Sequence, residues 1–340
     1  MVGHSGKQRP DSACAASERG TEFGLSWDRV AMTSVEQTVG CLLGLSLGDA
    51  LGARYEGGVL ERLLWRWIGT TRTGELRWTD DTQMAIDLAE SYLATGDLDQ
   101  DDLAVRFATS YRWSRGYGPG TARVLRRIAA GTDWRQASRA VHSGGSYGNG
   151  AAMRAPVIGL IYAGRPDELA TAAERSAVVT HAHPLAIEGA VLIAGATAAA
   201  LHGESSATML DSAIAAVSRP ELSDRLIIAR DWLESGREVG TRDVVRTLGN
   251  GVAAQASCVT AVYLALRYRE QPLVDLLEFV AKCGGDTDTI SAMAGAIWGA
   301  ANGRGKLPEE WLSRLEQRDR IVVLGEAVHG RVHAGNDSRK

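Results

Sequence analysis

Gly40, Gly44, Gly48 and Gly52 recur at every fourth position in an apolar stretch that begins at Glu36. Residues four apart share one helical face, so this spacing draws a stripe without side chains along a helix. A neighbouring helix can approach such a stripe at backbone distance, which commits the chain to tight helix-on-helix packing. The same small, apolar texture returns at Ile187–Ala200, Ala253–Leu266 and Ile290–Ala301. Strand signals are scarce: no run of alternating β-branched residues stands out, and Gly148-Asn149-Gly150 leads into a helical pattern rather than a hairpin. The expected fold is all-α, a compact single-domain multi-helix bundle of roughly ten or more helices with functional residues on loops and helix starts. No internal period of about 20–50 residues repeats, which argues against a solenoid. The more polar Glu204–Arg242 reads as a peripheral helical pair.

The chain, at 340 residues, can bury a large core. Thr33-Ser34-Val35-Glu36 resembles a helix cap leading into the glycine-striped run. Residues 1–31 therefore read as a disordered N-terminal extension, 32–333 as the domain and 334–340 as a frayed tail. The first thirty or so residues carry no apolar core for a signal peptide, and no apolar stretch is expected to reach the roughly 18 residues of a membrane helix. A formal net charge of −4, with no basic run, argues against a general nucleic-acid binder. Cys14, Cys41, Cys258 and Cys283 show no CxxC spacing and read as free thiols of a reducing, cytoplasmic compartment.

Two short acidic clusters, about two hundred residues apart, carry the chemistry. The first is Trp78-Thr79-Asp80-Asp81-Thr82 and the second Gly284-Gly285-Asp286-Thr287-Asp288-Thr289. Each opens a helical pattern, so each is also what a well-capped helix carries: Thr79 suits an N-cap, and carboxylates in a first turn suit the macrodipole. Capping alone rarely asks for two further carboxylates, and like charges held together need a cation or proton to compensate them. With oxygen ligands only, that cation is a hard one, Mg²⁺ or Mn²⁺. If the fold brings the clusters together they form a two-metal site. Glu56, in a turn after the glycine-striped helix, is a third candidate. Asp49, inside that helix, reads as a buried, hydrogen-bonded structural residue.

Three glycine-rich loops precede helical segments: 116–121 with Gly118, 144–150 with Ser146, Tyr147, Gly148, Asn149 and Gly150, and 249–251 with Asn250 before Val252. Such junctions expose backbone N–H groups at a positive dipole end, which suits a phosphate or diphosphate, although glycine turns are also simply turns. None has the Walker A or dinucleotide-fold context. His181 and His183 in Thr-His-Ala-His-Pro do not share a helical face and have no third nitrogen ligand near, so they read as helix-start residues that contact substrate or cap.

Taken together, these segments resemble the ADP-ribosylglycohydrolase family. The carriers are GLSLGDALGARYE at 44–56, WTDDTQM at 78–84, RGYGPGT at 115–121, SYGNGAAMR at 146–154, VTHAHPLAIEGA at 179–190, GNGVAAQ at 249–255 and GGDTDTISAMAGAIWGA at 284–300. The resemblance implies a compact all-α fold with two Mg²⁺ (or Mn²⁺) ions at the base of a cleft. On matching positions, Thr79, Asp80, Asp81, Asp286, Asp288 and Thr289 would be the metal ligands, and Glu56 the mobile glutamate that gates the cleft. The Ser146–Gly150 loop would hold the diphosphate with Tyr147 near the adenine, His181 would approach the diphosphate–ribose region, and Gly118, Asn250 and Val252 would contribute to the substrate cleft. Glu56, Asp81 and Asp286 are the candidate catalytic residues.

Within the family, these loops look most similar to the branch that cleaves serine-linked ADP-ribose, poly(ADP-ribose) and O-acetyl-ADP-ribose. The expected activity is hydrolysis at C1″ of such conjugates, with an ADP-ribosylated protein or a small ADP-ribose conjugate as partner, no nucleic acid, no membrane, and a monomer. One departure bears on the substrate: Val141-His142 stand where that branch carries an aromatic residue before the loop. Alternatives are an ADP-ribosylarginine hydrolase, a two-metal phosphohydrolase that would release phosphate or AMP, and a non-catalytic ADP-ribose-binding protein.

Overall fold

A computed structural model describes residues 33–56, 69–141 and 144–337. The expected extension at 1–31 and His142 lie outside the described residues. Among the described residues are sixteen α-helices, four 3-10 turns and isolated β-bridges but no strand, so the all-α expectation holds. The first half comprises α1 (Val35–Gly52), α2 (Asp80–Thr95), α3 (Gln100–Ser110), α4 (Pro119–Ala129), α5 (Trp134–Ala140), α6 (Ala155–Tyr162), α7 (Pro166–Val178) and α8 (Pro184–Leu201). The second comprises α9 (Ser206–Ala216), α10 (Pro220–Glu234), α11 (Thr241–Thr247), α12 (Ala254–Arg267), α13 (Leu273–Cys283), α14 (Thr287–Asn302), α15 (Glu309–Leu312) and α16 (Arg318–Asp337).

α1 starts as its sequence predicts. Ser34 and Gln37 form a capping box: the Gln37 N–H donates to the Ser34 hydroxyl at 3.2 Å, and the Ser34 N–H donates back to the Gln37 side chain at 3.1 Å. The glycine stripe then finds its partner in α14, which runs antiparallel to α1. A Cβ on Gly44 would lie 2.2 Å from the Gly295 carbonyl oxygen, and one on Gly48 2.1 Å from that of Ser291. Only hydrogen fits there, and two backbones in contact fix the register. At the far end the Thr287 hydroxyl donates to the Gly52 carbonyl at 2.9 Å, which ties the C-terminus of α1 to the N-terminus of α14.

The core gathers around these two helices together with α8 and α12. One expectation needs correcting: α8 is long and apolar enough to cross a membrane, with a mean hydropathy of 1.7 over 18 residues. Of that stretch, 78% is buried inside the protein. α9 and α10 form the pair expected in Glu204–Arg242. α16 is helical through Asp337, so the first residues of the expected tail continue a helix.

Candidate active site

The helix register delivers the acidic clusters to one place. Asp49, fully buried in α1, accepts the Thr79 N–H with both oxygens at 3.0 and 2.9 Å, and the Thr82 N–H at 3.0 Å and hydroxyl at 2.5 Å. One carboxylate therefore absorbs donors of the α2 N-terminus and clamps it to α1. Thr79 caps α2 by accepting the Asp81 N–H at 3.3 Å. From the other side, the Thr289 hydroxyl of α14 donates to Asp81 at 3.4 Å, so the two clusters meet. Past α1, a 3-10 turn over Ala53–Tyr55 brings Glu56 to the same point. Carboxylate oxygens of Glu56, Asp286 and Asp288 lie within 4.8 Å of one another.

These groups floor a cleft of about 240 Å³. Glu56, Asp80, Asp81, Asp286, Asp288 and Thr289 line its base, while Gly118, Ser146, Gly148, Asn149, Gly150, His181 and Val252 line its walls. The Asn149 side chain donates 2.5 Å to Asp286 and 3.0 Å to the Ser257 hydroxyl, which joins the glycine loop to the carboxylates. His181 is buried with Nδ1 2.8 Å from the Thr180 hydroxyl. Its ring packs on Gly150, where a Cβ would lie 2.6 Å from Cε1.

Three expected site residues are not part of that lining. Thr79 lies fully buried behind Asp81. Tyr147 is 54% exposed and rests edge-on against His183, with ring centroids 5.9 Å apart. Asn250 turns its carboxamide away from the cleft: it donates to the carbonyls of Cys283 at 3.1 Å and Gly284 at 3.0 Å, and its own carbonyl receives the Asp286 N–H at 2.8 Å. It shapes the turn that presents Asp286, in which Gly285 has φ +80° and a Cβ would strike the Asn250 carbonyl at 2.1 Å. His183 is a cap, accepting the Leu185 N–H at 3.2 Å. Thr121, at the end of the 116–121 loop, also lines the cleft, as does Met153, which sequence reasoning did not single out. Nor did sequence reasoning single out Arg115, which stacks 3.6 Å over the Trp78 ring and grips Glu316 through two bonds of 2.7 and 2.8 Å.

Burial pushes the carboxyl pKa values of Asp80, Asp81 and Asp288 well above the usual range, and their carboxylate neighbours push them further. Asp49 is raised by burial as well, against the opposing pull of its bonds to Thr82 and Thr79. One oxygen of Asp81, Oδ2, is buried with no hydrogen-bond partner. An orphaned anionic oxygen in a cluster of mutually repelling carboxylates, with only oxygen donors around, fits a hard divalent cation. Cys283 offers no nucleophile, since burial lifts its thiol to about 11.

The family model for ADP-ribosylglycohydrolase matches residues 31–337. The chain belongs to that family, and with it to the hydrolases. Among its relatives, ADP-ribosylhydrolase ARH3 of Bos taurus is 36% identical over 344 aligned positions, covering 88% of this chain and 94% of the relative. ADP-ribosylhydrolase ARH3 of Homo sapiens is 35% identical with the same coverage. A solved chain described as an ADP-ribosylglycohydrolase-related protein complex superposes with a TM-score of 0.66 at 27% identity, over 88% of this chain and 98% of that one.

Proposed function

We propose that the protein hydrolyses the glycosidic bond at C1″ of ADP-ribose conjugates and releases ADP-ribose, with serine-linked ADP-ribose, poly(ADP-ribose) or O-acetyl-ADP-ribose as substrate. The observation that carries this reading is the union, in one cleft, of carboxylates from both acidic clusters with the Ser146–Gly150 loop. Its similarity to the ARH3 hydrolases supports the choice of linkage.

Asp80, Asp81, Asp286, Asp288 and Thr289, which line the cleft, would hold two Mg²⁺ ions, or Mn²⁺, with Thr79 fixing Asp81 from behind. When bound, such ions neutralise the carboxylates and supply Lewis acidity toward the hydroxyl-rich ribose. The rest belongs to the chain's own residues. The Ser146–Gly150 loop binds the diphosphate, and His181 closes that wall. Carboxylates of the floor stabilise the positive charge that grows on the ribose as the C1″ bond breaks. Glu56, half-buried at the cleft with a carboxylate oxygen within 4.8 Å of those of Asp286 and Asp288, takes the proton of the attacking water.

The test offers serine- and arginine-modified peptides with and without EDTA and measures free ADP-ribose. Release from the serine-linked peptide, abolished by EDTA, is the expected result. Release of AMP or phosphate from ADP-ribose instead would assign a phosphohydrolase, and binding without turnover a receptor.

A further inference from the structure

Arg154 is the one large cationic side chain among the fully buried residues described, at 0% exposure. Among the described residues no carboxylate pairs with it. Its Nη1 donates 2.8 Å to the Gly150 carbonyl, Nη2 donates 2.7 Å to the Ser176 carbonyl, and Nε donates 3.3 Å to the Ser176 hydroxyl. The guanidinium carbon lies 4.8 Å from the centroid of the Phe107 ring. Burial draws its pKa down to about 9, which leaves it charged at neutral pH. A buried charge without a counter-ion is costly, so a simple core role is poorly served by arginine here.

What Arg154 joins is specific. Gly150 ends the glycine loop and lines the cleft. Ser176 lies in the last turn of α7, and the next residue, Ala177, accepts the His181 N–H at 2.8 Å. Gly150 and His181 face each other across the cleft wall with no space for a Cβ between them. The planar fork of arginine spans the two carbonyls at a fixed separation, which an ammonium on a flexible stem does poorly.

We infer that Arg154 is a positioning residue for the anion-binding wall: it locks the Gly150 loop to the α7 end that carries His181, and places a cation behind the loop that receives the substrate diphosphate. This rests on the proposed function, because the diphosphate comes from that reading. Losing the tie weakens binding of the diphosphate more than bond cleavage, because Asn149 keeps its own bonds to Asp286 and Ser257 without Arg154.

The experiment compares wild type with R154M and R154K, using calorimetric titration with ADP-ribose, kcat and KM on a serine-linked peptide, and thermal melts. R154M is expected to raise both the ADP-ribose Kd and KM about tenfold with kcat within about threefold. R154K, which keeps the charge but not the fork, is expected to recover part of that loss, about threefold from wild type. A folded R154M with wild-type Kd and KM overturns the inference, as does a fall in kcat at unchanged KM. If R154M does not fold, R154K decides: a raised KM at constant kcat supports the tie, and an unchanged KM overturns it. A wild-type protein that does not bind ADP-ribose overturns the proposed function and this inference together, whereas normal wild-type binding with indifferent variants removes Arg154 alone.

Discussion

The Thr289 hydroxyl donates to Asp81 at 3.4 Å across 208 positions of sequence. That contact is where the two acidic clusters become one site. Asp81 has a second oxygen buried without a partner, so the site has anionic valence to spare.

Replacing Asp81 or Asp288 by asparagine should therefore separate activity from stability. Each variant should lose about a hundredfold or more in turnover and bind Mg²⁺ more weakly, while the metal-free protein melts no lower than wild type because a repelling charge is gone. Turnover assays, Mg²⁺ titration calorimetry and melts in EDTA check this. Near-normal turnover in both variants would remove the metal assignment.

Metal addition should stabilise the protein in a pH-dependent way. The raised folded-state values of Asp80, Asp81 and Asp288 favour the protonated forms. In EDTA their contribution is fully present below about pH 4, the ordinary carboxylate range, and is lost as pH rises through the raised folded values. Mg²⁺ should offset that loss near neutrality, by about 2.7 kcal/mol at a hundred times its Kd, and do little in acid. Melting curves across pH with and without Mg²⁺ measure it; a Mg²⁺ effect independent of pH would contradict it.

Asp87 offers a second pH handle outside the cleft lining. Burial lifts its carboxyl to about 7, against bonds from Ser110 and from Gln83 at 2.9 Å. Its stabilising contribution is complete below about pH 4 and disappears as pH climbs through about 7. D87N should flatten that slope and gain on the order of 2–4 kcal/mol at pH 8. Urea unfolding at pH 4, 6 and 8 gives the answer. Parallel slopes for variant and wild type would contradict it.

The interlocked helices predict a steep cost for one methyl group. G48A would place a Cβ 2.1 Å from the Ser291 carbonyl oxygen, and the variant should lose about 3 kcal/mol or more. G251A, where nothing lies within 4 Å, is the matched control and should stay within about 0.5 kcal/mol. Urea midpoints of the two variants decide it.

The glycine stripe was legible because spacing alone dictates which face a partner can approach. Caps at Ser34 and Thr79 were legible because the donors they satisfy are local. Asp49 could be recognised as buried, but not that its donors come from Thr79 and Thr82, since that pairing exists only after α2 docks on α1. Asn250 shows the same limit: between two glycines it looks like a ligand-binding amide, whereas its side-chain partners, Cys283 and Gly284, lie 33 and 34 positions away. Arg154 did leave a trace, a cation at the head of the apolar run Ala155–Tyr162. Its place under Gly150 needed the fold.

α1 and α14 touch backbone to backbone along the stripe, which leaves their cluster-bearing ends almost no latitude to drift. The wall at Gly118 is under no such constraint: a Cβ there would meet nothing within 4 Å, so a side chain can be added on that side of the cleft without unseating the carboxylates.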